Sequence, residues 1–176
     1  MSPSHAPELN NPKTVRAWYM FDWANSVYSL VITSAIFPVY YKGVAKSNGS
    51  DMVTFLGLTF QNSNLYSYAL SFSFLIVAVM LPLLSGMADY SGKKKTFMKL
   101  FVCIGAISCM GLFFFTGVET LWLGILLSIT ASVGYSGSLV FYDAFLPEIV
   151  TQDRYDVTSA RGFSMGYYGS VILMII

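Results

Sequence analysis

Asp22, Asn25, Ser26, Ser29 and Thr33 place an acid, an amide and three hydroxyls in the first long apolar run of the chain. Asp22, Ser26, Ser29 and Thr33 recur at i, i+4, i+7 and i+11, which on an α-helix draws one polar stripe, with Asn25 and Ser34 beside it. A carboxylate among neutral hydrogen-bonding groups can carry a proton or meet the cationic end of a small molecule. Against lipid such a stripe is unfavourable, since a central Asp costs about 2.5 to 3.5 kcal/mol on insertion scales, so it must face other helices or a watery cavity. The structural alternative is an interfacial one. Trp18, Tyr19 and Trp23 then form an aromatic belt, and Asp22 complements the positive end of its own helix.

The elements that would carry these residues follow from composition. Of the 176 residues, 55% are hydrophobic and 11% charged, against about 25% charged in soluble domains, so this is an integral membrane protein. A net charge of +1 excludes nucleic-acid binding through a basic excess. Cys103 and Cys109 fall on different faces of one apolar segment and form neither a disulfide framework nor a metal site; His5 stands alone in a polar tail. No metal and no cofactor is expected. Residues 1–16 lack the features of a secretory signal and read as a tail. The apolar runs predict spanning helices at about 18–41, 65–85, 99–116, 121–145 and 159–176, the fourth stopped by Pro147. Between the first two, Lys42 to Asn64 reads as a loop with at most a short surface helix, because Phe55, Leu56 and Leu58 are too few to span.

Charge placement orients the helices. Lys13, Arg16, Lys93, Lys94, Lys95, Lys99, Arg154 and Arg161, eight of the ten basic residues, fall on one side, and Lys42 and Lys46 on the other. The positive-inside rule makes the N-terminus, the Lys-rich turn and the connection before the fifth helix cytoplasmic, in the plasma (inner) membrane if the source is bacterial.

Gly86, Asp89, Gly92, Lys93 and Lys94, between the second and third helices, resemble the cytoplasmic gating motif of the major facilitator superfamily, Gly-x-x-x-Asp-(Arg/Lys)-x-Gly-(Arg/Lys)-(Arg/Lys). Ser85 stands where the first Gly is expected unless Gly86 takes that role, and Tyr90 replaces the usual base. Tyr19 to Ser26, Phe141 to Glu148 and Ser159 to Tyr167 are similar to the hallmark segments of the branch that holds the autophagy-related vacuolar amino-acid effluxers and their bacterial relatives. In that pattern position 143 is usually Asn, whereas this chain has Asp143. The resemblance runs from about Arg16 to the end. It implies an all-α, major-facilitator-like helical bundle, of which this chain holds the first five transmembrane helices of an expected twelve, with residues 17–176 as an incomplete N-terminal half. It further implies a secondary active transporter of a small solute, an amino acid or similar metabolite, working by alternating access with protons as coupling ion. Its partners are the small-molecule substrate, the lipid bilayer and the missing C-terminal half, without which the chain is expected not to transport.

Three smaller features complete the reading. Gly124, Ser128, Ser132 and Ser136, and Gly162, Gly166 and Ser170, repeat every four residues and predict close helix packing, while Ser136, Ser138 and Tyr142 are candidates for lining a path. Asp143, Glu148 and Arg161 are candidates for a cytoplasmic ion-pair gate, the alternative being a solvated loop. No Gly-x-x-x-x-Gly-Lys-(Ser/Thr) loop supports an ATP-driven pump, and no Ser/His pair or His-Glu-x-x-His supports an intramembrane enzyme. The rival from another class is a non-transporting membrane protein, a sensor or assembly factor, whose polar stripe only joins helices.

Overall fold

The computed structural model describes residues 8–175, without the side chains of Met87, Ala88, Asp89 and Ser91; His5 and Ile176 lie outside the described residues. The chain forms α1 (Pro12–Val27), a π-helical stretch (Tyr28–Ile36), α2 (Phe37–Val44), strands β1 (Met52–Phe55) and β2 (Leu58–Gln61), then α3 (Asn62–Ser91), α4 (Lys94–Gly111), α5 (Leu121–Ile149) and α6 (Tyr155–Ile175). Among the described residues four stretches are long and apolar enough to cross a membrane: Pro12–Val44, Asn62–Gly86, Lys94–Phe114 and Val118–Ile149. The shortest has 21 residues, which at about 1.5 Å per residue spans a core roughly 30 Å thick. α6 is a fifth helix whose first turns carry Asp156 and Arg161. Exposed Phe72, Leu75, Val79 and Leu83 line one side of α3, the apolar surface that a helix turns toward lipid. These spans make the chain a multi-pass integral membrane protein.

Contacts group the chain into two compact units, Met1–Ser34 with Tyr142–Ile176, and Ala35–Phe141. In the first, α1 begins at Pro12 rather than near Trp18. Asn11 caps it, its side chain accepting from the Lys13 amide at 3.0 Å, and Pro12 fits the first turn, where no N–H partner is required. Asn10 adopts a left-handed φ of 62° and fastens this start to the end of α5. Its amide donates to the Ile149 carbonyl at 2.8 Å, and its side-chain oxygen accepts from the Thr151 amide at 3.2 Å. α6 then packs along α1 through its glycines. A β-carbon at Gly162 would overlap Trp18, and one at Gly169 would overlap Trp23. The predicted small-residue packing on this helix is thereby found, with Gly162, Gly166, Gly169 and Ser170 all buried.

The second unit holds α2, the strands, α3, α4 and α5 up to Phe141. Lys42 to Asn64 departs from its expectation as a loop: β1 and β2 pair antiparallel, Val53 facing Phe60. Leu56 and Gly57 turn the hairpin with φ of 52° and 81°, the doubly left-handed geometry that matches strand twist. Gly105 on α4 and Gly134 on α5 bring backbones together so closely that a β-carbon on Gly134 would overlap the Gly105 main chain. Gly137 likewise makes room for the ring of Phe101, which stacks on Phe141 at 5.9 Å in a core with Met80, Leu84, Phe97 and Val133. Gly124 and Ser128 of the predicted every-four repeat are packed: a β-carbon on Gly124 would meet the Phe115 ring, and the Ser128 hydroxyl donates back to the Gly124 carbonyl.

Four boundaries correct the sequence expectation. α3 runs on from 85 to Ser91, since no glycine before Gly92 takes a left-handed conformation within it. α4 begins at Lys94, not near Lys99, because Lys93 and Lys94 already open its first turn. Pro147 does not stop α5, which continues to Ile149 with the proline in its last turn, where only the bond to the Asp143 carbonyl is forfeited. α6 starts at Tyr155, ahead of the expected 159, after a short 3-10 turn over Gln152–Arg154.

Candidate functional site

Asp22 sits on the fifth residue past Trp18 in α1 when Trp18 is counted, so both lie on the face that α6 covers, and it is only 6% exposed. The Ser26 hydroxyl, one turn on, donates to Asp22 Oδ1 at 3.4 Å. Gly166 on α6 forms the other wall: a β-carbon there would stand 3.2 Å from Asp22 Oδ2 and closer still to Ser26 Oγ. Tyr142 closes the site along α5. Its ring stacks on Trp18 at 4.2 Å and on Phe21 at 5.1 Å, and the Trp18 indole donates to the Tyr142 carbonyl at 3.1 Å. The Tyr142 hydroxyl and the Asn25 side-chain NH2 are both buried without a hydrogen-bond partner among the described residues. Asp143 lies within electrostatic range of Asp22 and of Tyr142. Among the described residues Asp22 has no cationic partner, which leaves a buried carboxylate held by a neutral hydroxyl.

The predicted single stripe ends at Val27. From Tyr28 to Ile36 the backbone bonds five residues apart, so the α-helical period no longer decides which residues share a face. Ser29 turns its hydroxyl back onto the Ser26 carbonyl at 3.1 Å, and Ser34 bonds the Ser29 carbonyl at 2.7 Å, a five-residue step that fits the wider turn. Thr33 Oγ1 is buried and has no partner. The structure therefore joins Asp22 with Ser26, sets Asn25 beside them, and places Ser29 and Thr33 on a differently wound segment. π-helical turns inside α-helices are frequent at functional sites, and none of the residue types here announces one.

The motif between α3 and α4 is built as a helix end. Gly92 caps α3 with φ of 64°, a left-handed position that suits glycine, and Lys93 and Lys94 lead into α4. Gly86 lies inside α3 with open space where a β-carbon would be, and Tyr90 is 97% exposed. The Asp89 side chain lies outside the described residues. Of the possible gate, Asp143, Glu148 and Arg161 are exposed. Arg161 lines a cavity of about 490 Å³ together with Arg154. Asp153 pairs loosely with Arg154, 3.9 Å from its Nε, and a hydrogen bond with Thr151 holds its carboxyl below the usual range. Ser138 is buried, and its hydroxyl donates to the Tyr135 carbonyl at 2.7 Å. Gly166 was read for packing alone; its second role, shaping the pocket of Asp22, becomes visible only once α6 is laid on α1.

The family profile described as Vacuole effluxer Atg22 like matches residues 10–176. The chain is 41% identical over 165 residues to an uncharacterized MFS-type transporter, YxiO, of Bacillus subtilis, covering 93% of this chain and 36% of the relative. It is 28% identical over 170 residues to autophagy-related protein 22 of Chaetomium globosum, covering 84% of this chain and 26% of the relative. A third relative, autophagy-related protein 22 of Pyricularia oryzae, is 24% identical over 163 residues, covering 78% of this chain and 24% of the relative. The chain thus spans about a third or less of the length of these relatives. No solved structure matches at a significant level.

Proposed function

The chain belongs to the vacuole effluxer Atg22-like family, and on that premise we propose that it is part of a secondary active transporter of a small solute, an amino acid or similar metabolite. In this reading residues 17–176 contribute helices of the N-terminal half of a major-facilitator domain, the N-terminus is cytoplasmic, and the remainder of the protein supplies the opposite wall of the path. The names of the fungal relatives tie them to autophagy, and the family is that of a vacuole effluxer.

One observation carries the mechanism. Asp22 is a buried carboxylate on a membrane-spanning helix, held by Ser26 and faced by a glycine, with no described cation beside it. Such a group is expensive to keep in a bundle unless a proton or a positively charged substrate neutralises it during the working cycle. A carboxylate that takes a proton on one side of the membrane and releases it on the other couples flux to a pH gradient; one that meets an α-amino group selects amino acids. The adjoining π-helical stretch gives the first span a segment whose hydrogen-bond pattern can shift between states at low cost. Alternating access then needs the α1–α6 contact to move as a body while the glycines keep it close.

The test uses the full-length protein in proteoliposomes with a mixture of radiolabelled amino acids. An imposed pH gradient should drive uptake by the wild type. Asp22→Asn should abolish gradient-driven uptake while the purified protein keeps its thermal stability. Undiminished gradient-driven flux in Asp22→Asn would overturn the assignment of Asp22 as the coupling group, and no flux of any amino acid by the wild type would overturn the substrate class.

A further inference from the structure

The cavity of about 490 Å³ at the N-terminal end of α1 is separate from Asp22 and has its own chemistry. Its polar wall is Asn10, Tyr19, Arg154, Thr158 and Arg161, with two guanidinium groups and no carboxylate among the lining residues. Pro12, Val15, Val150 and Val157 make the rest of it apolar. Three devices hold it open. The Asn10 clamp to Ile149 and Thr151 fixes the start of α1 against the end of α5, the 3-10 turn over Gln152–Arg154 projects Arg154, and the first turns of α6 present Thr158 and Arg161. Thr158 is buried, at 4% exposure. Asp153 lies 3.9 Å from Arg154 Nε, and Arg161 is in no ion pair among the described residues.

We propose that this cavity binds a phosphate-bearing anion, its phosphate held between Arg154 and Arg161 and its carbon portion against the valines. Guanidinium groups recognise phosphate through paired N–H donors, and a mixed apolar and basic pocket beside the ends of membrane spans has the character of a site for a phospholipid headgroup. A soluble phosphorylated metabolite offers the same phosphate, and the experiment separates the two sources.

The full-length protein, in detergent and in neutral phosphatidylcholine nanodiscs, is examined by native mass spectrometry and thermal shift. One arm adds phosphatidylglycerol; the other titrates inorganic phosphate and glycerol 3-phosphate. Retention of phosphatidylglycerol that soluble phosphates do not displace identifies the headgroup, whereas protection by glycerol 3-phosphate with displacement of the lipid identifies a soluble ligand. In either case Arg154→Gln and Arg161→Gln should each weaken binding roughly fivefold, and Lys99→Gln, outside the cavity, should leave it unchanged. Val157→Trp narrows the cavity with both arginines in place and should weaken binding as well. Wild-type retention of the anion by the doubly substituted arginine variant, or by Val157→Trp, would overturn the proposal, as would the absence of binding in both arms.

Discussion

Gly166 lies against the Asp22 carboxylate so tightly that a β-carbon at position 166 would stand 3.2 Å from Asp22 Oδ2 and overlap the Ser26 hydroxyl. The acid of α1 therefore owes its neutral, closely walled pocket to an absent side chain on α6. Either Ser26 leaves Asp22 to accommodate a larger residue, or the two helices separate.

Gly166→Ala should accordingly destabilise the full-length protein by about 1 to 3 kcal/mol, the range for overpacking a filled interior. Thermal unfolding in detergent measures this, and gradient-driven uptake should fall in the same variant because the Ser26 to Asp22 hydrogen bond is displaced. Wild-type stability in Gly166→Ala would show that α1 and α6 are not held at this distance in the membrane.

How much of this was legible in the sequence depends on which interactions set each feature. The spans were readable because hydrophobicity alone determines them, and the glycine face of α6 because a four-residue repeat of small side chains has one dominant use in lipid. The hairpin was missed because Phe55 to Leu58 is short and its turn uses a left-handed Leu56, which carries no sequence signal of its own. The π-helical stretch was missed for a related reason: Tyr28–Ile36 has ordinary helix-compatible residues, which do not distinguish π from α winding. Asp22 and Ser26 survived as a pair because they precede that stretch. Ser29 and Thr33 lost their predicted register because they lie within it.

Thr33 supplies a prediction with a definite sign. Its hydroxyl is buried with no hydrogen-bond partner, so Thr33→Val, which keeps the shape and removes the unpaired group, should leave stability unchanged or raise it by up to about 1 kcal/mol. If the hydroxyl meets substrate or water during transport, the same variant should slow uptake despite its stability. A loss of more than about 1 kcal/mol in equilibrium unfolding would mean that Thr33 is satisfied by a group outside the described residues.

Gly92 isolates a backbone effect. Its φ of 64° caps α3, and nothing lies within 4 Å of where a β-carbon would be, so substitution meets conformational strain and no steric contact. Gly92→Ala should cost about 1 to 2 kcal/mol, and Gly92→Asn, which tolerates the left-handed region better, less than that. Equal unfolding temperatures for glycine, alanine and asparagine at this position would show that α3 and α4 are joined by a different turn in the membrane.

Orientation is the remaining premise, and it can be tested without any assay of transport. Lys93 and Lys94 stand at the junction of α3 and α4, whereas Lys46 pairs with Asp51 at 3.4 Å beside the hairpin, at the other end of α3. A helix that spans the bilayer must place these two regions on opposite sides, and four clustered lysines at 93–95 and 99 are retained in the cytoplasm far more readily than two. Single cysteines at Ser47 and at Lys94, in full-length protein with Cys103 and Cys109 replaced by Ser, should therefore differ toward an impermeant thiol reagent applied to intact cells. Ser47→Cys should label at once. Lys94→Cys should label only after the membrane is permeabilised, which also shows that the thiol itself is reachable. Labelling of both in intact cells would contradict a spanning α3, and labelling of Lys94→Cys alone would invert the orientation.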